Sequence, residues 1–155
     1  MTVFVPLALS AARQLRSTGS ATDLIGYADG PALRSWLGGT RLDDEEADYV
    51  ALNHAGVAAL LLDGASVRLV VAVDQEIAGA DEFGSVPLPA VSWTDVRSLF
   101  ADEAAAAGAV TAARTAVAGF DLAAALSLPE VEHLLDAHDL LWYAPEELDA
   151  LSEYD

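Results

Sequence analysis

The 155-residue chain carries 25 acidic side chains against seven basic ones, a formal charge of −18, and contains no cysteine. Such a charge repels nucleic-acid phosphates and anionic lipid, which argues against binding to nucleic acid or a membrane surface. The missing thiols exclude disulfides, thiolate metal sites and cysteine nucleophiles.

Residues 2–5 (TVFV) read as a short strand stopped by Pro6, and a helix is expected from about 6 to 17. The opening "MTVFVPLALSAA" has an apolar run, yet it lacks a positive leading segment and contains a proline, so it does not read as a signal sequence. No run approaches the roughly 20 apolar residues of a membrane span, and a cytoplasmic protein is expected. "DLIGYAD" (23–29) reads as a weak strand. Pro31 opens a short helix in "PALRSWLGG", with Leu33, Trp36 and Leu37 turned inward.

The clearest element is a helix over 43–62, where Asp43 and Glu46 form a capping-box pattern and Ala47, Val50, Ala51, His54, Val57, Ala58 and Leu61 follow helical spacing. "ASVRLVVAVD" (65–74) reads as a strand apolar on both faces and therefore central. "SVPLPAV" (85–91) is extended, with Pro87 and Pro89 pushing it to an edge or out of the sheet. Residues 93–103 fit either a helical turn or a strand.

The alanine-rich 103–118 reads as a helix with Val110, Ala113, Val117 and Phe120 on one face. Ser127 and Glu130 form a second capping-box pattern opening a helix to about 137. A strand over 139–143 and a helix started by Pro145 close the chain, with Leu140 and Trp142 on one strand face, Leu141 and Tyr143 on the other, and both faces covered. With 32 alanines in the chain, the core must draw its area from Leu, Val, Ile and aromatic positions. The expected fold is α/β or α+β, a single domain over 1–155 with a mixed sheet of four or five strands packed with helices.

Three histidines are available for chemistry. His54 lies on an apolar stripe and reads as a core histidine with one hydrogen-bond partner. "EVEHLLDAHD" gathers Glu132, His133, Asp136, His138 and Asp139, but a five-residue spacing does not set His133 and His138 on one helix face, so no metal site is expected. His138 at the helix end suits capping of the last carbonyls.

Asp74 and Asp102 each follow a strand. If those strands were parallel, the two carboxylates could hold Mg²⁺ or supply a general base. Arg13 and Arg16 sit at a helix C-terminus, where they suit the dipole; no phosphate-binding loop or serine-hydrolase elbow accompanies them. The candidate binding residues are Asp74, Asp102, His138, Asp139, Trp142, Tyr143, Arg13 and Arg34, and no cofactor is implied.

"HDLLWYAPEEL", with "TVFVPLAL", "PALRSWL" and "RLVVAVD", resembles a family of small acidic actinobacterial proteins known only as a domain of unknown function. That resemblance implies a shared fold and a bacterial cytoplasmic setting, and carries no activity or catalytic residue. Two functional readings remain. One is a non-enzymatic module whose acidic surface meets a basic protein partner, supported by the lack of any base after Arg114. The other is a small enzyme or ligand-binding protein using carboxylates at strand ends or the Asp139, Trp142 and Tyr143 neighbourhood.

Overall fold

The computed structural model describes residues 1–38, 41–63 and 67–151. Its elements are β1 (Thr2–Pro6), α1 (Leu9–Thr18), β2 (Ser20–Tyr27), α2 (Pro31–Trp36), α3 (Asp44–Leu60), β3 (Leu69–Asp74), β4 (Ser85–Ser92) and β5 (Val96–Ala101), then α4 (Ala107–Val117), α5 (Leu122–Ala125), α6 (Pro129–Ala137) and β6 (Leu141–Tyr143). Short 3-10 turns occupy Trp93–Asp95, Ala104–Ala106 and Pro145–Ala150.

Among the described residues one sheet of six strands runs in the order β4-β2-β1-β3-β5-β6, and every neighbouring pair is antiparallel. The fold is therefore α+β, and the expected mixed sheet of four or five strands is corrected. Strands β2 and β3 do point the same way, but β1 lies between them and separates the parallel pair. The strand count rises because β4 stays in the sheet despite its prolines.

β4 is an edge strand, and its hydrogen bonding explains how it tolerates them. The Ala28 N–H donates to the Gly84 carbonyl, so by alternation Val86 and Leu88 turn their main-chain groups to β2 while Pro87 turns its missing donor outward. Pro89 stands opposite Asp23, whose φ is 58°, at the one step where this ladder lapses. Gly26 lets β2 lie close to the core: a Cβ there would collide with Val3 and stand 2.9 Å from Leu88 Cδ1.

Strand alternation divides the core between two faces. Val3, Val5, Leu69, Val71, Val73, Leu88 and Leu99 pack with Leu9, Ala12 and Leu15 of α1 and with Leu148 and Leu151 of the C-terminal turn. Phe4, Tyr27, Val70 and Ala72 face Leu33 of α2 and Ala51, Leu52, Ala55 and Ala58 of α3. On the far side of α3, Val57 and Leu60 join Val110, Ala113 and Val117 of α4 and Val131 and Leu134 of α6. Wedged between sheet and outer helices, α3 is apolar all round in its second half, as its nearly unbroken run from 55 to 61 requires.

The Asp43 cap forms as its sequence pattern implies, accepting from the Glu46 N–H at 2.7 Å. The pattern at Ser127 and Glu130 does not. Pro129 occupies the first helical position, so Leu128 is the cap residue without a side-chain bond, and Ser127 donates back to the Ala124 carbonyl. α1 begins at Leu9 rather than near Pro6, and its buried residues are Leu9, Ala12 and Leu15.

Residues 93–103 combine both expected forms, a 3-10 turn followed by β5. The strand expected over 65–74 spans Leu69–Asp74, with positions 65 and 66 outside the described residues. Phe120 and Trp36 are exposed rather than inward. The C-terminal helix is a 3-10 turn in which the Glu147 carboxylate accepts the Ala144 N–H at 2.7 Å.

Candidate interaction surface

A buried ion pair positions the β6 end of the sheet. Arg68 precedes β3 and Asp102 follows β5, and the antiparallel register sets them side by side. Both side chains are 1% exposed, and Arg68 Nη2 lies 2.6 Å from Asp102 Oδ1. The Arg68 Nε–H also donates to the carboxylate, as does the Arg68 backbone N–H at 2.9 Å. The same Nη2 donates to the His138 carbonyl at 2.9 Å, so one guanidinium fastens the entry to β3, the exit of β5 and the approach to β6. Charges this deep in the protein persist because each is paired and hydrogen-bonded.

The parallel arrangement that would have let Asp74 and Asp102 share a ligand does not occur. Antiparallel β3 and β5 carry them to opposite ends of the sheet, and each has an internal cation: Asp74 meets the N-terminal ammonium at 2.9 Å, and Asp102 meets Arg68. Salt-bridged to that ammonium, the Asp74 carboxyl is held below the usual range. Arg13 and Arg16 do not cap their own helix. They reach the C-terminal segment, Arg13 donating to the Leu151 carbonyl and Arg16 to Asp149. Arg34 stands apart at α2, bonded to Asp29, Asp44 and the Leu42 carbonyl.

His138, Asp139, Trp142 and Tyr143 do gather with Asp102 at the β5–β6 edge. His138 uses its backbone N–H, not its imidazole, to satisfy the Leu134 carbonyl. The strand alternates as expected, Leu140 packing beside the α3 face and Tyr143 on the opposite one. Its faces are not both covered. Trp142 is 61% exposed and Leu141 39%, because β6 is the last strand and the helices lie over the middle of the sheet.

A family model described as a family of unknown function (DUF6912) matches residues 1–151. The chain belongs to that family. Comparison with curated proteins and with solved structures gave no match.

In this DUF6912 member, α3 supplies the neighbour of the β6 edge. The Tyr49 hydroxyl donates to Asp139 at 2.7 Å, and that bond raises the Tyr49 pKa. An open groove along the start of α3 is lined by Leu42, Asp43, Glu45, Glu46, Tyr49 and Val50. Apolar floor, acidic rim and exposed aromatic side chains thus share one side of the protein, since Trp142 pairs with Phe100 on the face that α3 covers. Among the described residues no group of three or more His, Asp or Glu side chains is arranged to hold a metal ion, and no helix is long and apolar enough to cross a membrane.

His54 behaves as a core histidine. It is 5% exposed, its Nδ1 lies 2.8 Å from the Phe83 carbonyl, and its ring makes edge contacts with Trp36 and Phe83. Burial pushes its pKa down, while the Phe83 carbonyl and Asp81 pull it partly back. A histidine depressed in the fold favours the neutral form, so its contribution is full above the unfolded value of about 6.5 and is lost as pH falls below it. Wild type should therefore lose stability relative to His54→Asn between about pH 7.5 and about pH 5.5 in paired urea titrations. A difference that does not change with pH would refute this.

Proposed function

We propose that this chain is a non-enzymatic cytoplasmic module that binds a basic protein partner. The observation that carries the reading is a Trp142 side chain 61% exposed on an edge strand of a chain with formal charge −18. Ion pairs among the described residues engage five of the 25 acids, namely Asp29, Asp44, Asp74, Asp102 and Asp149. The remaining excess steers a basic partner toward the protein, and an exposed tryptophan is the residue type that most often anchors a protein interface. The reading of an enzyme or ligand-binding protein with carboxylates at strand ends has less support, because Asp74 and Asp102 are far apart in the fold and internally neutralised.

The test is affinity capture on the immobilised chain at about 0.05 M and about 0.5 M salt, with Trp142→Ser as a parallel bait and mass spectrometry of what is retained. Basic proteins should be held at low salt, released at high salt, and held less by Trp142→Ser. Capture unaffected by salt would remove charge as the cause. Equal capture by both baits would remove the β6 surface.

A further inference from the structure

We infer that the free edge of β6 takes an extended basic segment of the partner as a seventh strand, with the main-chain groups of Trp142 as its first hydrogen-bonding position. This rests on the protein-interaction reading and adds the mode of binding. The direction of the Trp142 groups follows from the neighbouring ladders. The Asp102 N–H donates to the Arg68 carbonyl, so Asp102 and Phe100 turn toward β3, and Leu99 and Ala101 turn toward β6. The outer bonds of β3 agree, since the Leu7 N–H donates to the Leu69 carbonyl and the Gln75 N–H to the Met1 carbonyl, turning odd-numbered β3 residues to β1. Leu99 and Ala101 therefore exchange bonds with Tyr143 and Leu141, and Trp142 points its N–H and C=O away from the sheet.

The two sheet edges differ in how open they are. At β4, Pro87 removes an outward donor and Pro89 faces the lapse at Asp23. β6 has neither proline nor basic residue, and only its length of three residues blunts it as an edge. Its open stretch is short, because the next outward N–H, that of Ala144, is already taken by Glu147. The added strand must therefore draw on side chains as well: arginine or lysine toward Asp139 and the acids lining the α3 groove, and an apolar residue against the exposed Trp142 indole. Charge selects the occupant. A second copy brings another −18 and the same acidic rim, whereas a basic segment is attracted.

Two synthetic peptides of alternating arginine and valine, about nine residues long, test the mode, one with ordinary amides and one with every main-chain amide N-methylated. The ordinary peptide should slow hydrogen exchange of the Trp142 amide about tenfold or more and shift its resonance, and the methylated peptide should bind at least about tenfold more weakly despite equal charge. Trp142→Pro, which removes only the outward donor from the main chain, should keep the ladder to β5, checked by the Leu141 and Tyr143 amides, and lose the ordinary peptide. Trp142→Thr, which keeps that donor, should retain part of the affinity.

Equal binding of both peptides, with the Trp142 amide unprotected, would overturn strand addition and leave the basic-partner reading intact. No binding of either would overturn both. Protection of Trp142 that rises with protein concentration alone would assign the edge to a second copy instead.

Discussion

Asp102→Asn should destabilise the protein by about 3–5 kcal/mol in urea or thermal unfolding, the largest loss expected from any single polar substitution here. The cause is the partner left behind. Arg68 is 1% exposed, and Asp102 accepts from its Nε, its Nη2 and its backbone N–H. Asparagine keeps the shape and part of the bonding but removes the charge, leaving a guanidinium in the interior without its counter-ion. Replacing both members, as in Arg68→Met with Asp102→Leu, should cost much less than the two single losses combined, because no orphaned charge remains.

A second consequence is local. Since Arg68 also holds the His138 carbonyl, amide exchange in β6 should accelerate in Asp102→Asn more than exchange in β1. A single-mutant loss below about 1 kcal/mol would mean that water reaches the pair.

Leu148→Ala should cost about 2–5 kcal/mol, whereas Trp142→Ala should cost less than about 1 kcal/mol. The ordering reverses what residue size suggests. Leu148 is fully buried in the cluster formed by β1, β3, β5 and α1, and its truncation leaves a cavity between the sheet and the C-terminal turn. Trp142 already has 61% of its surface in water, so little burial is forfeited. Denaturant titrations of the two variants side by side decide the matter. A Trp142→Ala loss as large as that of Leu148→Ala would place the indole in the core and remove the basis for an interaction surface at β6.

The legible parts of the chain were those in which one local signal met no competitor. Asp43 and the spacing behind it marked α3, and Pro31 marked the first residue of α2. The unbroken apolar run around Val70 marked a central strand, and His54 was recognisable as a core residue. Where two signals overlapped, the choice was not local. Ser127 and Pro129 both claimed a helix start, and proline geometry prevailed because its fixed φ places it at the first turn. Of the eight candidate residues, five meet at one end of the sheet, but their role there was hidden. Asp102 looked like a free carboxylate because its partner lies 34 residues away in sequence, and only the β3–β5 register brings Arg68 beside it.

Composition and periodicity alone determined an acidic chain of mixed helices and strands, with a central β3, an extended segment at 85–91 whose place in or out of the sheet stayed open, and a strand at "LLWYA" followed by a helix started by Pro145, which in the fold is a 3-10 turn. These follow from local sterics and from burial patterns that repeat every two or 3.6 residues, which a sequence displays directly. Tertiary structure decided which strands became neighbours, that all of them ran antiparallel, and that β6 ended the sheet. Strand order is set by packing among segments far apart in the chain, and a residue's exposure depends on what lies beyond its neighbour. "LLWYA" has the same apolar pattern in the middle of a sheet as at its rim; its place at the rim leaves Trp142 in solvent.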